Sequence, residues 1–118
     1  MAIKAIFKVY DDDDSEQYYR KEITWTLDEK LEYDLNLINT SKSINYAAIT
    51  YIKLIVFSGD ARFKVRFTTS TDTVTFYVDD FFYFTPETLD DFTEIVVMED
   101  NGVEVNVKIR FYGDTSES

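Results

Sequence analysis

Val103-Glu104-Val105-Asn106-Val107-Lys108-Ile109-Arg110-Phe111 alternates apolar and polar side chains at every position. Successive side chains of a β-strand point to opposite faces of the sheet, so this alternation places one face against a core and the other in water. A helix would need an apolar repeat of about 3.6 residues instead. The stretch therefore predicts a half-exposed strand.

Alternation of this kind, or a short apolar run bounded by turn residues, recurs along most of the 118 residues. The predicted strands cover residues 3–10, 19–27, 31–37, 44–57, 62–67, 73–78, 81–84, 94–98 and 103–111. Eight or nine short strands with almost no helix predict an all-β fold, an antiparallel β-sandwich of which the jelly roll is one form. We assign residues 1–114 to this single domain and residues 115–118 to a flexible tail without apolar side chains.

The most apolar segment, residues 44–57, follows a polar loop at residues 39–43 and is predicted to be a central strand covered on both faces. A helix over residues 46–54 is the alternative, because a short apolar run does not determine the period. The side chains predicted to form the core are Phe7, Trp25, Leu35, Leu54, Phe63, Val65, Phe67, Phe76, Val105, Val107 and Ile109.

Asn101-Gly102 is the strongest turn signal in the chain. A two-residue type I′ turn requires positive φ at both central positions, which Asn and Gly adopt most readily. The dipeptide therefore predicts a β-hairpin that joins residues 94–98 to residues 103–111.

The composition argues against an enzyme. The chain has no Cys and no His, so it lacks thiolate nucleophiles and the commonest general base and metal ligand. We expect no cofactor. The net charge of −11 argues against binding to nucleic acid, and no apolar run is long enough for a membrane span.

Three acidic clusters raise the question of calcium binding: Asp11 to Asp14, Asp79-Asp80 and Asp90-Asp91. Their spacing differs from that of a calcium loop, which places ligands at alternate positions around a glycine. We interpret the clusters as solvated loops and predict no metal site, with a calcium site as the alternative.

Exposed aromatic side chains would allow a sugar-stacking platform if several shared one sheet face. The candidates are Tyr10, Tyr18, Tyr77, Tyr83 and Tyr112. The alternative is that most of them lie in the core or pack against cross-strand neighbours.

Basic residues on two strands are the candidate binding residues. Arg62, Lys64 and Arg66 occupy alternate positions of one strand, and Lys108 and Arg110 form a similar pair on the last one. One interpretation is that they make cross-strand ion pairs with acidic neighbours. The other is that they form a docking face, because a basic stripe on an acidic protein is complementary to copies of itself or to another acidic surface.

From Tyr51 onward the order of features resembles small β-sandwich modules of bacteriophage virions. The features are a hydrophobic strand closed by Ser58-Gly59-Asp60, the alternating strand Phe63-Lys64-Val65-Arg66-Phe67, the bulky segment 81–84, the Asn101-Gly102 turn, and a last strand ending in Gly113-Asp114. The resemblance covers residues 51–114 and implies a structural part of a virus particle, such as a capsid decoration, neck or tail protein.

We therefore expect a non-enzymatic virion protein that acts by assembly with itself or with a larger virion structure. The alternative is a carbohydrate- or receptor-binding sandwich module, with or without a calcium requirement. It differs in needing an exposed aromatic and acidic site.

Overall fold

The computed structural model describes residues 1–10, 17–86 and 92–116, with only the backbone described at residues 9, 10, 17–19 and 92. The strands are β1 (Ala2–Tyr10), β2 (Gln17–Thr26), β3 (Glu29–Leu37), β4 (Ser41–Ser43), β5 (Tyr51–Gly59), β6 (Phe63–Thr69), β7 (Thr73–Val78), β8 (Phe81–Phe84), β9 (Phe92–Glu99) and β10 (Val105–Asp114). Among the described residues, no helix is long and apolar enough to cross a membrane.

Eight of the strands form a sandwich of two antiparallel sheets. Sheet I has the order β3-β10-β5-β8, and sheet II has the order β4-β9-β6-β7. From β3 to β10 the chain changes sheet at every connection except the β6–β7 hairpin. This is the topology of a jelly roll, so the predicted all-β sandwich is confirmed. The remaining strands, β1 and β2, pair only with each other, and we call this hairpin the arm.

The core lies between the two sheets and follows the alternation of the strands. On β10, Val105, Val107, Ile109 and Phe111 are buried, whereas the residues between them face outward. Each fully buried side chain of this size contributes about 1.5–3 kcal/mol relative to exposure. The stretch whose alternation predicted the fold therefore also contributes these four side chains to its core.

Most of the predicted core residues pack between the sheets: Leu35, Phe63, Val65, Phe67, Phe76, Val105, Val107 and Ile109. The prediction was wrong for Phe7 and Trp25, and it was right that Leu54 is buried, but not between the two sheets. Phe7 and Trp25 belong to the arm, and Leu54, although buried, lies on the outer side of sheet I and outside this core. Alternation shows that a strand has two faces, but not which part of the molecule covers each face.

The segment 39–57 differs from its prediction. Residues 41–43 form β4, which pairs with β9, where a loop was expected. The central strand begins at Tyr51 rather than at Ile44, and the alternative helix over residues 46–54 is absent. Ile44 and Ile49 are buried outside β5, and the Ile44 N–H donates to the Ile95 carbonyl oxygen at 2.8 Å. Their apolar character reflects core packing by a loop, which the sequence pattern does not distinguish from a strand.

The Asn101-Gly102 turn forms as predicted, but the hairpin around it does not. Both residues have positive φ, at 55° and 74°, and the Val103 N–H donates to the Asp100 carbonyl oxygen at 3.1 Å. The flanking strands then separate, because β9 pairs with β4 and β6 in sheet II and β10 pairs with β3 and β5 in sheet I. The turn is thus a crossing between the two sheets.

The arm covers part of the outer face of sheet I. Ile3, Ala5 and Phe7 are half-buried on its inner face, and the Phe7 ring lies 6.1 Å from the ring of Phe81 and 5.0 Å from that of Tyr83. The predicted burial of the central strand on both faces therefore has a cause. The core covers one face of β5, and the arm covers Leu54 on the other.

Candidate functional site

The outer face of sheet II carries the three basic residues that the sequence placed on one strand. Arg62 directly precedes β6, and Lys64 and Arg66 project outward from it, between Phe63, Val65 and Phe67, which are buried. Alternate residues of a strand lie about 6.6 Å apart along its axis, so the three cations form a line. We call Arg62, Lys64 and Arg66 the cation row.

Arg62 is held at one end of the row by three groups. Its Nε lies 3.7 Å from Asp79 Oδ1 and 3.8 Å from Asp100 Oδ2, and its guanidinium carbon lies 4.0 Å from the centre of the Tyr77 ring. The last distance is that of a cation–π contact. Asp100 is almost completely buried, so Arg62 also provides charge compensation for a buried carboxylate.

Arg66 and Lys64 differ in their partners. Arg66 makes a 3.6 Å ion pair with Glu94 on the neighbouring strand β9. Lys64 lies between Tyr77 on β7 and Met98 on β9, with its Nζ 5.9 Å from the centre of the Tyr77 ring. Within the described part of the chain, Lys64 makes no ion pair. The cross-strand interpretation thus fits Arg62 and Arg66, and Lys64 is the cation left available to a partner.

Apolar side chains border the row. Tyr77 is 53% exposed, Met98 is half-buried, and Val96 is buried between its cross-strand neighbours Ser43 and Arg66. Arg, Tyr and Met are the residue types enriched at the centres of protein–protein interfaces. The outer face of sheet II therefore combines the charges of the cation row with apolar surface that a partner would bury.

A polar hollow of about 490 Å³ adjoins the row. It is lined by Asn39, Thr40, Ser41, Lys64, Met98 and Glu99. Glu99 also accepts a 2.7 Å hydrogen bond from the Gly102 N–H, which fixes one wall of the hollow to the crossing turn. The hollow offers Lys64 and several neutral hydrogen-bonding groups to a ligand.

The structure separates Lys108 and Arg110 from the row, because both lie on the outer face of sheet I. Arg110 is engaged within the chain: its Nε lies 3.3 Å from Glu32, and its Nη1 lies 3.5 Å from Asp34 and donates to the carbonyl oxygen of Tyr33 at 3.3 Å. Lys108 lies beside Ser58, Asp60 and other residues at the edge of a separate hollow. The five predicted binding residues therefore form two groups on opposite sides of the sandwich.

The candidate sugar-stacking tyrosines do not share one face. Tyr77 lies on the outer face of sheet II, whereas Tyr83 and Tyr112 are half-buried on the outer face of sheet I beside the arm. The side chains of Tyr10 and Tyr18 lie outside the described part of the structure. The described tyrosines thus behave mainly as packing partners of neighbouring elements.

Of the acidic clusters, only Asp79-Asp80 falls in the described residues. It forms the crossing from β7 to β8, with Asp80 at a φ of 67°, and Asp79 faces Arg62. No group of three or more metal-ligating side chains occurs among the residues that the structure describes. Asp11 to Asp14 and Asp90-Asp91 lie outside them.

Two carboxylates, those of Asp28 and Asp60, link distant parts of the sandwich by hydrogen bonds, and we call them the clasps. Asp60 accepts hydrogen bonds from the N–H and the side-chain amide of Asn106, at 2.8 and 2.9 Å, and these bonds lower the pKa of Asp60. Asp28 accepts bonds from the hydroxyl and the N–H of Thr115, at 2.7 and 2.9 Å, which lower its pKa in the same way. All four hydrogen bonds favour the ionised form of the carboxylate that accepts them.

Sequence reasoning missed Val96 and Met98 as members of the candidate surface. The signal was present, since Ile95-Val96-Val97-Met98 has no polar residue on either face. An apolar run without alternation predicts cover on both sides of a strand. On β9 one side faces the core, and the other faces outward beside the cation row.

Comparisons of the chain with protein-family models, curated proteins and solved structures gave no match.

Proposed function

We propose that this protein is a non-enzymatic structural or accessory protein of a virion, such as a capsid decoration, neck or tail component. It acts by protein–protein assembly, with copies of itself and with a larger shell. Viral capsid domains are among the proteins that use the jelly roll, as are lectins and cupins. The fold is thus compatible with this role by analogy. Because one fold serves many functions, support for this role has to come from the surface of the protein.

The observation that carries the proposal is the outer face of sheet II. Lys64, which has no ion-pair partner among the described residues, lies at the centre of a row whose outer members are oriented by Asp79, Asp100 and Glu94. Exposed Tyr77 and half-buried Met98 flank it. An oriented charge beside apolar area gives register and affinity to a docked partner, and the acidic exterior of a protein with net charge −11 supplies a complementary surface.

The virion assignment is tested by quantitative mass spectrometry of virus particles purified from the source of the chain. The expected result is a fixed number of copies per particle that survives a density gradient. Recovery of the chain only in the unassembled fraction would overturn the assignment.

The second candidate is a carbohydrate- or receptor-binding module. The hollow favours it, because the neutral hydrogen-bonding groups of Asn39, Thr40 and Ser41 line it together with the carboxylate of Glu99, and such groups suit a sugar. A glycan array and calcium calorimetry separate the two functions. Saturable binding of a defined glycan that Asn39→Ala abolishes would favour the module over the assembly protein.

A further inference from the structure

The arm is joined to the sandwich by side-chain contacts and one short connection. In the described part of the chain, no strand ladder links β1 or β2 to either sheet. The junction is sharply located. Leu27 still exchanges hydrogen bonds with Met1 of the arm, at 2.8 and 2.9 Å, whereas Asp28 is held by Thr115 and Gly113 of the sandwich. The arm can therefore move about the Leu27–Asp28 bond without breaking a ladder.

The arm rests on part of the outer face of sheet I, which we call the seat. The space between the arm and the seat is incompletely filled. A gap of about 360 Å³ lies between the arm and sheet I, lined mainly by apolar side chains that include Ile3, Phe7, Leu54, Val56 and Tyr112. A gap leaves its walls without part of their dispersion contacts, so the arm is held less firmly than a packed core element. Leu54, however, is only 2% exposed and needs the cover that an arm provides.

The strands of the arm and the sandwich differ in the sign of their net charge. The strands of the arm contain four basic residues, Lys4, Lys8, Arg20 and Lys21, and one acid, Glu22. Residues 27–118 contain eight basic and seventeen acidic residues. The segment that joins the two strands adds five acids, Asp11 to Asp14 and Glu16, so complementarity of charge with the acidic sandwich is confined to the strands of the arm.

The molecule is broader than a compact chain of its length. Its radius of gyration is 15.8 Å, against about 13.5 Å for a compact chain of this length. Phe7 already contacts β8, the edge strand of sheet I, and β1 continues for three more residues, about 10 Å of extended chain.

We propose that the arm is exchanged between copies of this chain, so that the arm of one copy occupies the outer face of sheet I on its neighbour. The same arm and the same seat exist on every copy, so exchange preserves each contact of Phe7 with Phe81 and Tyr83. The inference rests on the proposed assembly function and names a second interface for it, on the side of the sandwich opposite the cation row.

Site-specific cross-linking tests the exchange, because the chain has no native cysteine. Phe7→Cys and Tyr83→Cys are placed on separate, differently tagged chains, which are co-expressed and treated with a short bis-maleimide. Ile3→Cys with Tyr112→Cys provides a second pair across the same gap. Phe7→Cys with Ser70→Cys, an exposed position in the β6–β7 turn and outside both proposed interfaces, measures random encounters.

Exchange predicts that at least one arm–seat pair yields the cross-linked heterodimer in several-fold excess over the Ser70→Cys control. If both heterodimers form only at the control level, the proposal is wrong. A chain that carries Phe7→Cys and Tyr83→Cys together and cross-links only within itself would show that the arm stays on its own sandwich. These outcomes do not depend on the cation row, so failure of the exchange and failure of the sheet II interface are distinguishable.

Discussion

Gly113 lies where β10 passes close to the segment that contains Ile49 and Tyr51. The register between β10 and β5 shifts between Tyr112 and Gly113, and a Cβ atom at Gly113 would collide with the Ile49 side chain and lie 2.5 Å from the Tyr51 carbonyl oxygen. The second obstacle is backbone, so it cannot move aside cheaply. The absence of a side chain at this position is therefore a packing requirement.

Gly113→Ala is expected to lower the free energy of unfolding by about 3 kcal/mol, the upper part of the usual range for overpacking. Gly102→Ala is the matched control, because a Cβ there would meet only Asn39 Oδ1, at an ordinary contact distance of 3.9 Å, and only the positive φ of 74° opposes it. Its cost is about 1 kcal/mol. Urea unfolding followed by circular dichroism measures both. Equal midpoints for the two variants would show that a Cβ atom at Gly113 does not overpack the site.

The Asp28 and Asp60 clasps predict an acid-dependent loss of stability. Hydrogen bonds from Thr115 and Asn106 lower the pKa of these carboxyls in the folded state. A folded pKa below the unfolded one adds stability above the unfolded value, and this stability is lost as the pH falls through the folded pKa. The loss therefore begins near pH 4, the ordinary pKa of an aspartic acid, and continues below it.

Thermal unfolding between pH 7 and pH 2.5 checks this expectation. The wild type should lose more of its melting temperature on acidification than the double variant Asp28→Asn, Asp60→Asn. Asp72→Asn, a change at an exposed carboxylate in the β6–β7 turn, should follow the wild type. Parallel curves for all three proteins would mean that the clasps contribute no pH-dependent stability.

At the scale of the elements, the sequence predicts strands well and their partners poorly. The alternation on β6 and β10 depends only on which side chains face water, and that is a local property. The pairing of β9 with β6 rather than β10 depends on burial of both strands in different sheets, which no local pattern encodes. The three-residue strand β4 carries no apolar residue and is defined only by its pairing with β9.

The arm should separate from the sandwich before the sandwich unfolds. Trp25, the only tryptophan, is half-buried opposite Ile3 on the arm, so its fluorescence reports on arm seating. Phe7→Ala removes the ring that contacts Phe81 and Tyr83. It is expected to weaken seating by about 1–2 kcal/mol, less than the 3–5 kcal/mol typical of a fully buried phenylalanine.

In a urea titration, Phe7→Ala should shift the Trp25 emission to the red at lower urea than the wild type, while the β-sheet circular dichroism of the sandwich keeps its midpoint. Lys8→Ala, which alters an exposed side chain on the other face of the same strand, is the control and should leave both signals unchanged. Coincident fluorescence and dichroism transitions in Phe7→Ala would contradict an independently seated arm.

At the scale of the whole molecule, the candidate site was only partly visible in the sequence. The line of Arg62, Lys64 and Arg66 follows from the two-residue period of a strand. Its separation from Lys108 and Arg110, and the placement of Met98 beside Lys64, follow from the division of β6 and β10 between two sheets. Those facts depend on the order of strands in the jelly roll, which is set by packing between distant segments.

The protein is expected to have two interfaces on opposite sides of one sandwich: the cation row on sheet II and the arm on sheet I. A subunit with two such surfaces can connect to more than one neighbour, as a shell component must. The cation row is the central claim, because it rests on residues that the sequence and the fold both place on one face.

The most direct test is the molar mass of the purified protein, measured by light scattering after size-exclusion chromatography. Three proteins are compared: the wild type, the variant Arg62→Glu, Lys64→Glu, Arg66→Glu, and a control variant with the same charge change, Lys30→Glu, Lys42→Glu, Lys53→Glu. Circular dichroism first establishes that all three are folded. We expect the wild type and the control to exceed the 13.9 kDa of one chain and the row variant to elute as a monomer. A row variant that keeps the wild-type mass, or a wild type that is monomeric at every concentration, would contradict the account.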